Sequence, residues 1–312
     1  MSGSIWRSSL IYKQIQKDNI GIYYGISNEI PFGITRLNTT KVVIIHDLIF
    51  IRYPELYPSL DVFFYKKKTE YACKFSDYII AASEQTKQDI MNFYHIPGNK
   101  ITVIYPGSDP MFYSDNIADA GEYFKTERKY IISIGAITPR KNLLRTVQAF
   151  NLVKDRYDLD LVVIGTAVGL GREYLEEING YIEKNGLSGR VHFLGNVPYK
   201  YVPGLCRNAQ LMVYPSQFEG FGMPIVEGFF SRIPVITSKG GCFPEAGGDG
   251  AIYVNPDEIG EIAAWIEKLM DSASLRDDLV KKGLRHAERF RRERIESDII
   301  DFHEAVKATV NQ

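Results

Sequence analysis

Two glutamates, Glu219 and Glu227, stand eight positions apart in the run SQFEGFGMPIVEG, residues 216–228. Glu219 follows an apolar strand pattern, and Glu227 falls on the helix that Pro224 is expected to open. The glycines of the Gly-Phe-Gly run let the backbone approach a ligand closely, and the first helical N–H groups favour a phosphate. Ionised carboxylates accept hydrogen bonds from hydroxyls, so the segment predicts a site for a ligand with hydroxyls and a phosphate. The alternative is an ordinary strand–loop–helix connection with two solvated acids.

Two adjacent cations form the second pattern, in IISIGAITPRKN, residues 131–142. A strand ends at Gly135, and a short loop then brings Arg140 and Lys141 to the start of a helix. Two cations at the carboxyl end of a strand, beside a helix N-terminus, predict a diphosphate site. A charged helix cap on the surface is the alternative. A further strand in 160–169 leads into a glycine turn at Gly165, which is a weaker motif when taken alone.

The elements that must position these residues alternate between short apolar runs and helical patterns, which is typical of parallel sheets covered by helices. In the first part, strands are predicted at 20–26, 42–46, 78–82 and 101–104, with Ser83 as the N-cap of a helix over 84–94. In the second part, strands are predicted at 129–134, 160–164, 191–194, 211–214, 234–237 and 252–254, and helices at 142–154, 172–184, 199–208 and 224–231.

Four segments follow from this pattern. Residues 1–110 are expected to form a partial N-terminal domain, because no strand with a glycine turn precedes its opening helix. Residues 111–127 contain acids, glycine and no sustained apolar period, and are predicted to be an interdomain linker. Residues 128–290 are expected to form a nearly complete doubly wound domain. Residues 291–312 are expected to form a helix that returns to the first domain.

Composition excludes several classes of protein. The 312 residues are 45% hydrophobic and 24% charged, which is typical of a globular protein. A formal net charge of -1 argues against a general nucleic-acid binder. The three cysteines are too few for a disulfide framework, and the apolar runs are strand-sized. With no signal peptide evident, the expected location is cytoplasmic. Asp158 and Asp160 precede a strand at its amino end, so no metal site is predicted there.

Together with VHFLGNVPYKYVPGLCRNAQLMVYPS, these segments resemble glycosyltransferase family 4 over residues 20–310. The resemblance implies a GT-B fold, an α/β architecture of two Rossmann-like doubly wound domains, here with the N-terminal one incomplete. It also implies a retaining, metal-independent mechanism. One departure is Ala136, which stands where many members carry an arginine directly after the glycine of the first strand of the donor-binding domain.

The resemblance also assigns roles to individual residues. Glu219 would contact the donor sugar hydroxyls, Glu227 the nucleotide ribose, and Arg140 and Lys141 the diphosphate. His46, in the strand KVVIIHDLIF, would reach the donor sugar from the first domain. Without the resemblance, the alternative for His46 is a satisfied core histidine. The remaining donor-binding positions are implied at the two strand-end glycines and through backbone groups: Gly135, Gly165, Val197, Phe221, Gly222 and Met223.

The function implied is transfer of a hexose, mannose or glucose, to a glycan or lipid-linked acceptor in cell-surface polysaccharide synthesis. The donor would be a substrate of the GDP-mannose or UDP-glucose type, with no further cofactor and no nucleic-acid partner. Alternatives are a non-catalytic nucleotide-sugar-binding remnant and, less favoured, an epimerase of the same shape. The run DVFFYKKKTEYACKF, residues 61–75, suits either a peripheral contact with anionic lipid at the inner face of the membrane or a solvated helix face.

Overall fold

The computed structural model describes residues 6–167, 169 and 171–310. Residues 1–5 of the predicted first domain, Val168 of the predicted turn at 160–169, residue 170 and residues 311–312 lie outside the described residues. The chain divides into two compact units, one formed by Met1–Pro106 with Glu293–Gln312 and the other by Gly107–Arg292.

The first unit is built on a four-stranded parallel sheet in the order β1-β2-β3-β4. Its strands are β1 (Ile22–Gly25), β2 (Thr40–Ile45), β3 (Tyr78–Ala81) and β4 (Ile101–Val103). Its helices, after a π-helical turn at Trp6–Leu10, are α1 (Ile11–Lys17), α2 (Ile49–Arg52), α3 (Ser59–Phe75) and α4 (Glu84–Tyr94). Ser83 caps α4 as predicted, because its Oγ accepts the N–H of Thr86 at 3.0 Å.

The second unit contains a six-stranded parallel sheet in the order β10-β9-β8-β5-β6-β7. Its strands are β5 (Lys129–Ile134), β6 (Leu159–Ile164), β7 (Val191–Gly195), β8 (Met212–Tyr214), β9 (Val235–Ser238) and β10 (Ala251–Val254). Its helices are α5 (Leu143–Tyr157), α6 (Gly171–Lys184), α7 (Val202–Asn208), α8 (Met223–Phe230), α9 (Phe243–Gly247), α10 (Ile259–Asp271) and α11 (Ala273–Ala287).

The strand order of the second sheet reverses next to β5. From β5 the chain builds β6 and β7 on one side, and then returns to build β8, β9 and β10 on the other. The loops that leave β5 and β8 therefore emerge side by side at the carboxyl edge of the sheet. This reversal is where doubly wound sheets bind their ligands, because the two loops diverge and leave a crevice between them.

The last helix, α12 (Arg292–Val310), packs on the sheet of the first unit. Successive strand residues point to opposite faces, so the sheet is buried on both sides. On one face Val42 and Ile80 meet Ile295 and Val306 of α12. On the other face Val43, Ile45 and Ile79 belong to a separate apolar cluster. No helix within the described ranges combines the length and the apolar composition needed to cross a bilayer.

The segment predicted as a linker, residues 111–127, is instead part of the second unit. Phe112 is fully buried, and the carbonyl oxygen of Ala118 lies so close to Gly204 that a Cβ there would approach it to 2.6 Å. The Thr126 hydroxyl donates to Asp160 Oδ2 at 2.6 Å. Sequence periodicity missed this packing because the segment is fixed by isolated residues and short 3₁₀ turns rather than by a repeating apolar face.

Two helical glycines of the second unit predict opposite effects of the same substitution. A Cβ on Gly180 in α6 would meet nothing within 4 Å, whereas one on Gly283 in α11 would lie 2.4 Å from the Phe229 ring. We expect Gly180→Ala to raise the free energy of unfolding by about 0.5–1 kcal/mol. We expect Gly283→Ala to lower it by about 1–3 kcal/mol through overpacking. Urea unfolding of both variants measures these changes, and equal shifts would contradict the difference in packing between the two glycines.

Candidate active site

Two predicted site glycines, Gly135 and Gly165, lie at the carboxyl ends of the neighbouring strands β5 and β6. Both have positive φ, +142° and +150°. A Cβ on Gly165 would stand 1.9 Å from the carbonyl oxygen of Gly135, so no side chain fits at that position. The Gly135 N–H donates to the Ile164 carbonyl at 2.9 Å. The two turns thus stack backbone on backbone and leave the carboxyl edge of the sheet open.

Glu219 and the two predicted cations converge after β8 and β5. Arg140 Nη1 and Lys141 Nζ each lie 2.7 Å from Glu219 Oε1. Ser216 Oγ donates to the same oxygen at 2.5 Å. Lys141 Nζ also contacts the Tyr214 hydroxyl at 2.7 Å and lies 4.9 Å from the centre of that ring. The structure therefore brings together three residues that the sequence placed in two separate motifs.

Burial and charge decide the protonation of this cluster. Burial opposes ionisation of Glu219, but Lys141 and Arg140 outweigh it and hold the pKa of Glu219 below its ordinary value. Burial lowers the pKa of Lys141, and the neighbouring Arg140 lowers it further, against the attraction of Glu219. Two cations facing one carboxylate leave the cluster with an excess positive charge, which a diphosphate could neutralise.

The loops that carry the cluster are fixed to each other through their backbones. The Gln217 N–H donates to the Arg140 carbonyl at 2.8 Å, and Ser216 Oγ contacts that carbonyl at 3.2 Å. Arg140 also donates to the Phe218 carbonyl. From β9, Ser238 Oγ donates to the Ser216 carbonyl at 2.6 Å. These hydrogen bonds hold the two loops together and so limit the movement of the Arg140, Lys141 and Glu219 side chains.

The predicted backbone donors lie at the start of α8. Gly222 caps this helix with φ +109°, a conformation that L side chains rarely adopt. Met223 opens the helix, and Pro224 occupies its first turn, where its missing N–H costs nothing. Phe221 is buried against Phe290, with ring centres 5.1 Å apart. The Phe221 side chain therefore anchors the loop.

Glu227 projects from α8 into a different environment from that of Glu219. Burial raises the pKa of Glu227 to about 7, and the negative charge of Asp109 adds to the effect. Tyr199, two residues after Val197, is close enough that Glu227 helps burial to raise the pKa of the Tyr199 hydroxyl to about 12. Val197 is half-buried and lies in the same loop as Tyr199. Its contact with the base stays a prediction.

His46 lies in the first unit, directly after β2, and is exposed. Its Nε2 is 2.8 Å from the Ile26 carbonyl; because a carbonyl only accepts, this nitrogen carries the proton. Asn28 fixes the backbone, since its Oδ1 accepts the His46 N–H at 2.8 Å and its Nδ2 donates to the Asp47 carbonyl at 3.1 Å. The imidazole is thereby oriented, with Nδ1 left as its acceptor when the ring is neutral.

Three positioning residues, Ser216, Tyr214 and Asn28, were missed by sequence reasoning. The first two hold the cations and the carboxylate at the end of β8, and the third orients His46. Their positions in the sequence could have indicated this role. Each residue ends or follows a parallel strand at its carboxyl end, where binding sites form. Asn28 also has φ +57°, which asparagine tolerates better than most residues.

The rejected metal motif has a structural role. Asp160 is buried at the amino end of the sheet, with Oδ1 3.2 Å from Arg190 Nε and Oδ2 3.0 Å from His192 Nε2. Asp158 is exposed and pairs with Arg128 at 2.9 Å. Within the part of the chain that the structure describes, no group of three or more His, Cys, Asp or Glu side chains could hold a metal ion.

Comparison with known proteins identifies the class. The family model for glycosyl transferases group 1 matches residues 116–286, and the model for glycosyltransferase family 4 matches residues 3–112. Because the first match spans more than half of the chain, the protein belongs to the group 1 glycosyltransferases. The predicted family resemblance is confirmed.

Two curated relatives are 28% identical to this chain over the aligned residues. O-antigen chain mannosyltransferase B of Escherichia coli is 28% identical over 275 residues, covering 86% of this chain and 70% of the relative. O-antigen chain mannosyltransferase RfbU of Salmonella typhimurium is 28% identical over 243 residues, covering 75% of this chain and 63% of the relative.

Solved structures confirm the GT-B fold class. Sucrose-phosphate synthase from Thermosynechococcus elongatus gives a TM-score of 0.82 at 18% identity, covering 95% of this chain and 76% of that one. Anabaena HepE in complex with UDP-glucose gives a TM-score of 0.79 at 20% identity, covering 95% of this chain and 82% of that one. At these identities the likeness establishes the fold alone.

The raised pKa of Glu227 predicts a pH-dependent effect of its removal. Its folded pKa of about 7 exceeds its ordinary value of 4.5, so the folded protein keeps a proton that the unfolded chain releases between these values. Glu227 therefore destabilises the fold increasingly as pH rises through this window, and the destabilisation reaches its full size above it. We expect Glu227→Gln to match the wild type near pH 4 and to melt at a higher temperature at pH 8. Lower stability of the variant at pH 8 would show that the ionised carboxylate has stabilising partners.

Proposed function

We propose that the chain is a retaining hexosyltransferase that moves mannose or glucose from a nucleoside-diphosphate sugar to a hydroxyl of a glycan or lipid-linked acceptor. The observation that carries the proposal is the convergence of Arg140 and Lys141 on Glu219 at the strand-order reversal of the second sheet. Family membership supports sugar transfer, and the geometry supports a site for a donor with a charged leaving group.

The diphosphate is assigned to Arg140, Lys141 and the start of α8. The two cations carry one more charge than Glu219 neutralises, and their side chains are largely buried, so an incoming anion meets them with little screening. Gly222 and Met223 begin α8 close in sequence to Glu219, and the N–H groups of a helix start favour phosphate oxygens. As the bond to the sugar breaks, these donors stabilise the charge that develops on the departing diphosphate.

The sugar and the ribose are assigned to the two glutamates. Glu219 is held ionised by its cations, so it can accept hydrogen bonds from sugar hydroxyls. Glu227 titrates near neutral pH, and its ionised form would accept the ribose hydroxyls. The Val197 backbone, in the loop that approaches Glu227, is proposed to meet the edge of the base.

GDP-mannose is the leading donor candidate, with UDP-glucose next. Mannose is favoured because two of the curated relatives are O-antigen chain mannosyltransferases. UDP-glucose is favoured by the structural similarity to HepE, which was solved with that molecule. The same relatives support a role in cell-surface polysaccharide synthesis.

The acceptor is assigned to the first unit, where a cavity of about 230 Å³ opens beside Asn28, the residue that orients His46. Phe50, Tyr57 and Tyr65 form an aromatic part of its wall. Glu29 contributes a carboxylate that pairs with Lys68 at 3.1 Å. Aromatic faces beside charged hydrogen-bonding groups suit a sugar ring, which presents C–H groups on one side and hydroxyls at its edge.

In the proposed reaction, one bond breaks, one bond forms and one proton is transferred. The bond between the anomeric carbon and the diphosphate oxygen breaks, the acceptor oxygen bonds to that carbon on the same face, and the acceptor proton passes to the departing phosphate. No side chain of the site is needed as a covalent nucleophile. Arg140 and Lys141 bind charge in this scheme and transfer no proton.

Transfer itself is tested by incubating the chain with GDP-mannose or UDP-glucose and a panel of glycan acceptors. A new glycoside whose anomeric configuration, read by NMR, matches that of the donor supports the proposal. Tight donor binding without any glycoside would indicate a non-catalytic nucleotide-sugar binder. Interconversion of the free nucleotide sugars would indicate an epimerase.

Arg140→Gln tests the diphosphate assignment without stranding Glu219, because Lys141 keeps that buried carboxylate paired. A charge-assisted hydrogen bond contributes about 1.5–3 kcal/mol. We therefore expect Arg140→Gln to weaken binding of GDP or UDP at least tenfold in calorimetry, with little change for the parent nucleoside. Added EDTA is expected to change neither value.

The matched control is Arg285→Gln, which removes the same charge from an exposed position of α11. It is expected to leave both affinities unchanged. If Arg140→Gln weakened nucleoside and diphosphate equally, a general distortion would explain the loss, and Arg140 would be removed from the phosphate site.

A further inference from the structure

Helix α3 of the first unit carries large apolar side chains on its solvent face. Leu60 is 66% exposed, Phe63 56% and Phe64 50%. At 3.6 residues per turn these positions share one side of the helix with Lys67, Lys74 and Phe75. We call these six residues the aromatic–lysine face. A stripe of this kind running along 17 helical residues is unusual on a soluble surface, where such apolar side chains are normally scattered singly.

The opposite side of α3 already fixes the helix to its unit. Val62, Thr69, Ala72 and Cys73 are buried beneath it. The aromatic–lysine face is therefore not required for folding. Ring contacts widen it, since Tyr71 lies 4.7 Å from Phe75 and 4.8 Å from the partly exposed Phe32.

The charge of α3 differs from that of the whole chain. The helix contains four lysines and two acids, whereas the chain carries a formal net charge of -1. On the face itself Lys74 lies 5.7 Å from the Phe75 ring centre, and Lys67 pairs with Glu70 at 3.3 Å in an exposed contact. Exposed ion pairs of this kind contribute little to the free energy of folding, so Lys67 can exchange Glu70 for another anion.

The residue types on the aromatic–lysine face indicate which kind of partner binds it. Protein–protein interfaces are enriched in aromatic residues but depleted in lysine. Membrane interfaces favour both, because aromatic side chains enter the headgroup region while lysines pair with anionic headgroups. The combination on α3 therefore fits a lipid surface better than a second copy of the chain or another protein.

We propose that the aromatic–lysine face docks the first unit on an anionic bilayer. Leu60, Phe63 and Phe64 enter the headgroup region, and Lys67 and Lys74 bind the anionic headgroups. The same helix supplies Tyr65 and Lys68 to the cavity proposed for the acceptor, so docking would hold that cavity close to the lipid surface. The inference concerns binding alone and does not depend on sugar transfer.

Co-sedimentation with vesicles tests the docking directly. We expect the chain to bind vesicles of equal parts phosphatidylcholine and phosphatidylglycerol, to bind phosphatidylcholine vesicles far more weakly, and to lose affinity as salt increases. Lys67→Glu/Lys74→Glu is expected to weaken binding to the anionic vesicles about tenfold or more. Phe63→Ser/Phe64→Ser is expected to weaken it while leaving the thermal unfolding temperature close to that of the wild type, because both side chains are exposed.

Matched controls separate the face from general charge and hydrophobicity. Lys184→Glu/Lys281→Glu makes the same change in net charge at exposed positions of the second unit, and Leu152→Ser removes a side chain that is 64% exposed on α5. Both controls should bind anionic vesicles as the wild type does. Equal weakening by the two lysine pairs would overturn the proposal, because attraction would then reflect net charge alone.

A fluorescent reporter gives a second, independent measurement. Leu60→Trp places an indole at the most exposed apolar position of α3. We expect a blue shift and quenching by brominated lipid when anionic vesicles are added. An unchanged emission spectrum would show that this face does not insert into the bilayer and would overturn the proposal. Self-association of the chain without vesicles, abolished by Phe63→Ser/Phe64→Ser, would assign the face to a second copy instead.

Discussion

One carboxylate oxygen, Oε1 of Glu219, organises the site of the second unit. It accepts hydrogen bonds from Ser216, Arg140 and Lys141. The position is buried, so an unpaired charge there would be costly. A buried carboxylate is stable only with counter-charges, and two adjacent buried cations are stable only with a carboxylate. Each member therefore requires the others. The loops after β5 and β8 must keep one relative geometry for the cluster to exist.

The parallel sheet explains why that geometry arises. Every strand presents its carboxyl end to the same edge, and the reversal of strand order next to β5 sets the two loops side by side. Gly165 allows the neighbouring turn to press against the Gly135 carbonyl, so no side chain intrudes. Burial and Arg140 lower the pKa of Lys141, against the attraction of Glu219. An anionic leaving group beside Lys141 would favour its charged form.

The sequence predicted the elements well because their patterns are local. The parallel strands follow from short apolar runs, and the Ser83 cap follows from one residue type at one position. The pairing of Glu219 with Arg140 and Lys141 could not be predicted, since each motif was explained by a ligand and nothing local indicates a contact between distant segments. Residues 111–127 were misassigned for a related reason: Phe112 and Thr126 are fixed by single long-range contacts, which leave no period in the sequence.

A crystal structure with bound GDP or UDP would test directly whether the cations held by Glu219 form a diphosphate site. We expect terminal phosphate oxygens about 2.7–2.9 Å from side-chain nitrogens of Arg140 and Lys141, at the carboxyl ends of β5 and β8. Glu219 should remain ionised beside them. A nucleotide bound elsewhere, with no phosphate oxygen in contact with Arg140 or Lys141, would contradict this assignment.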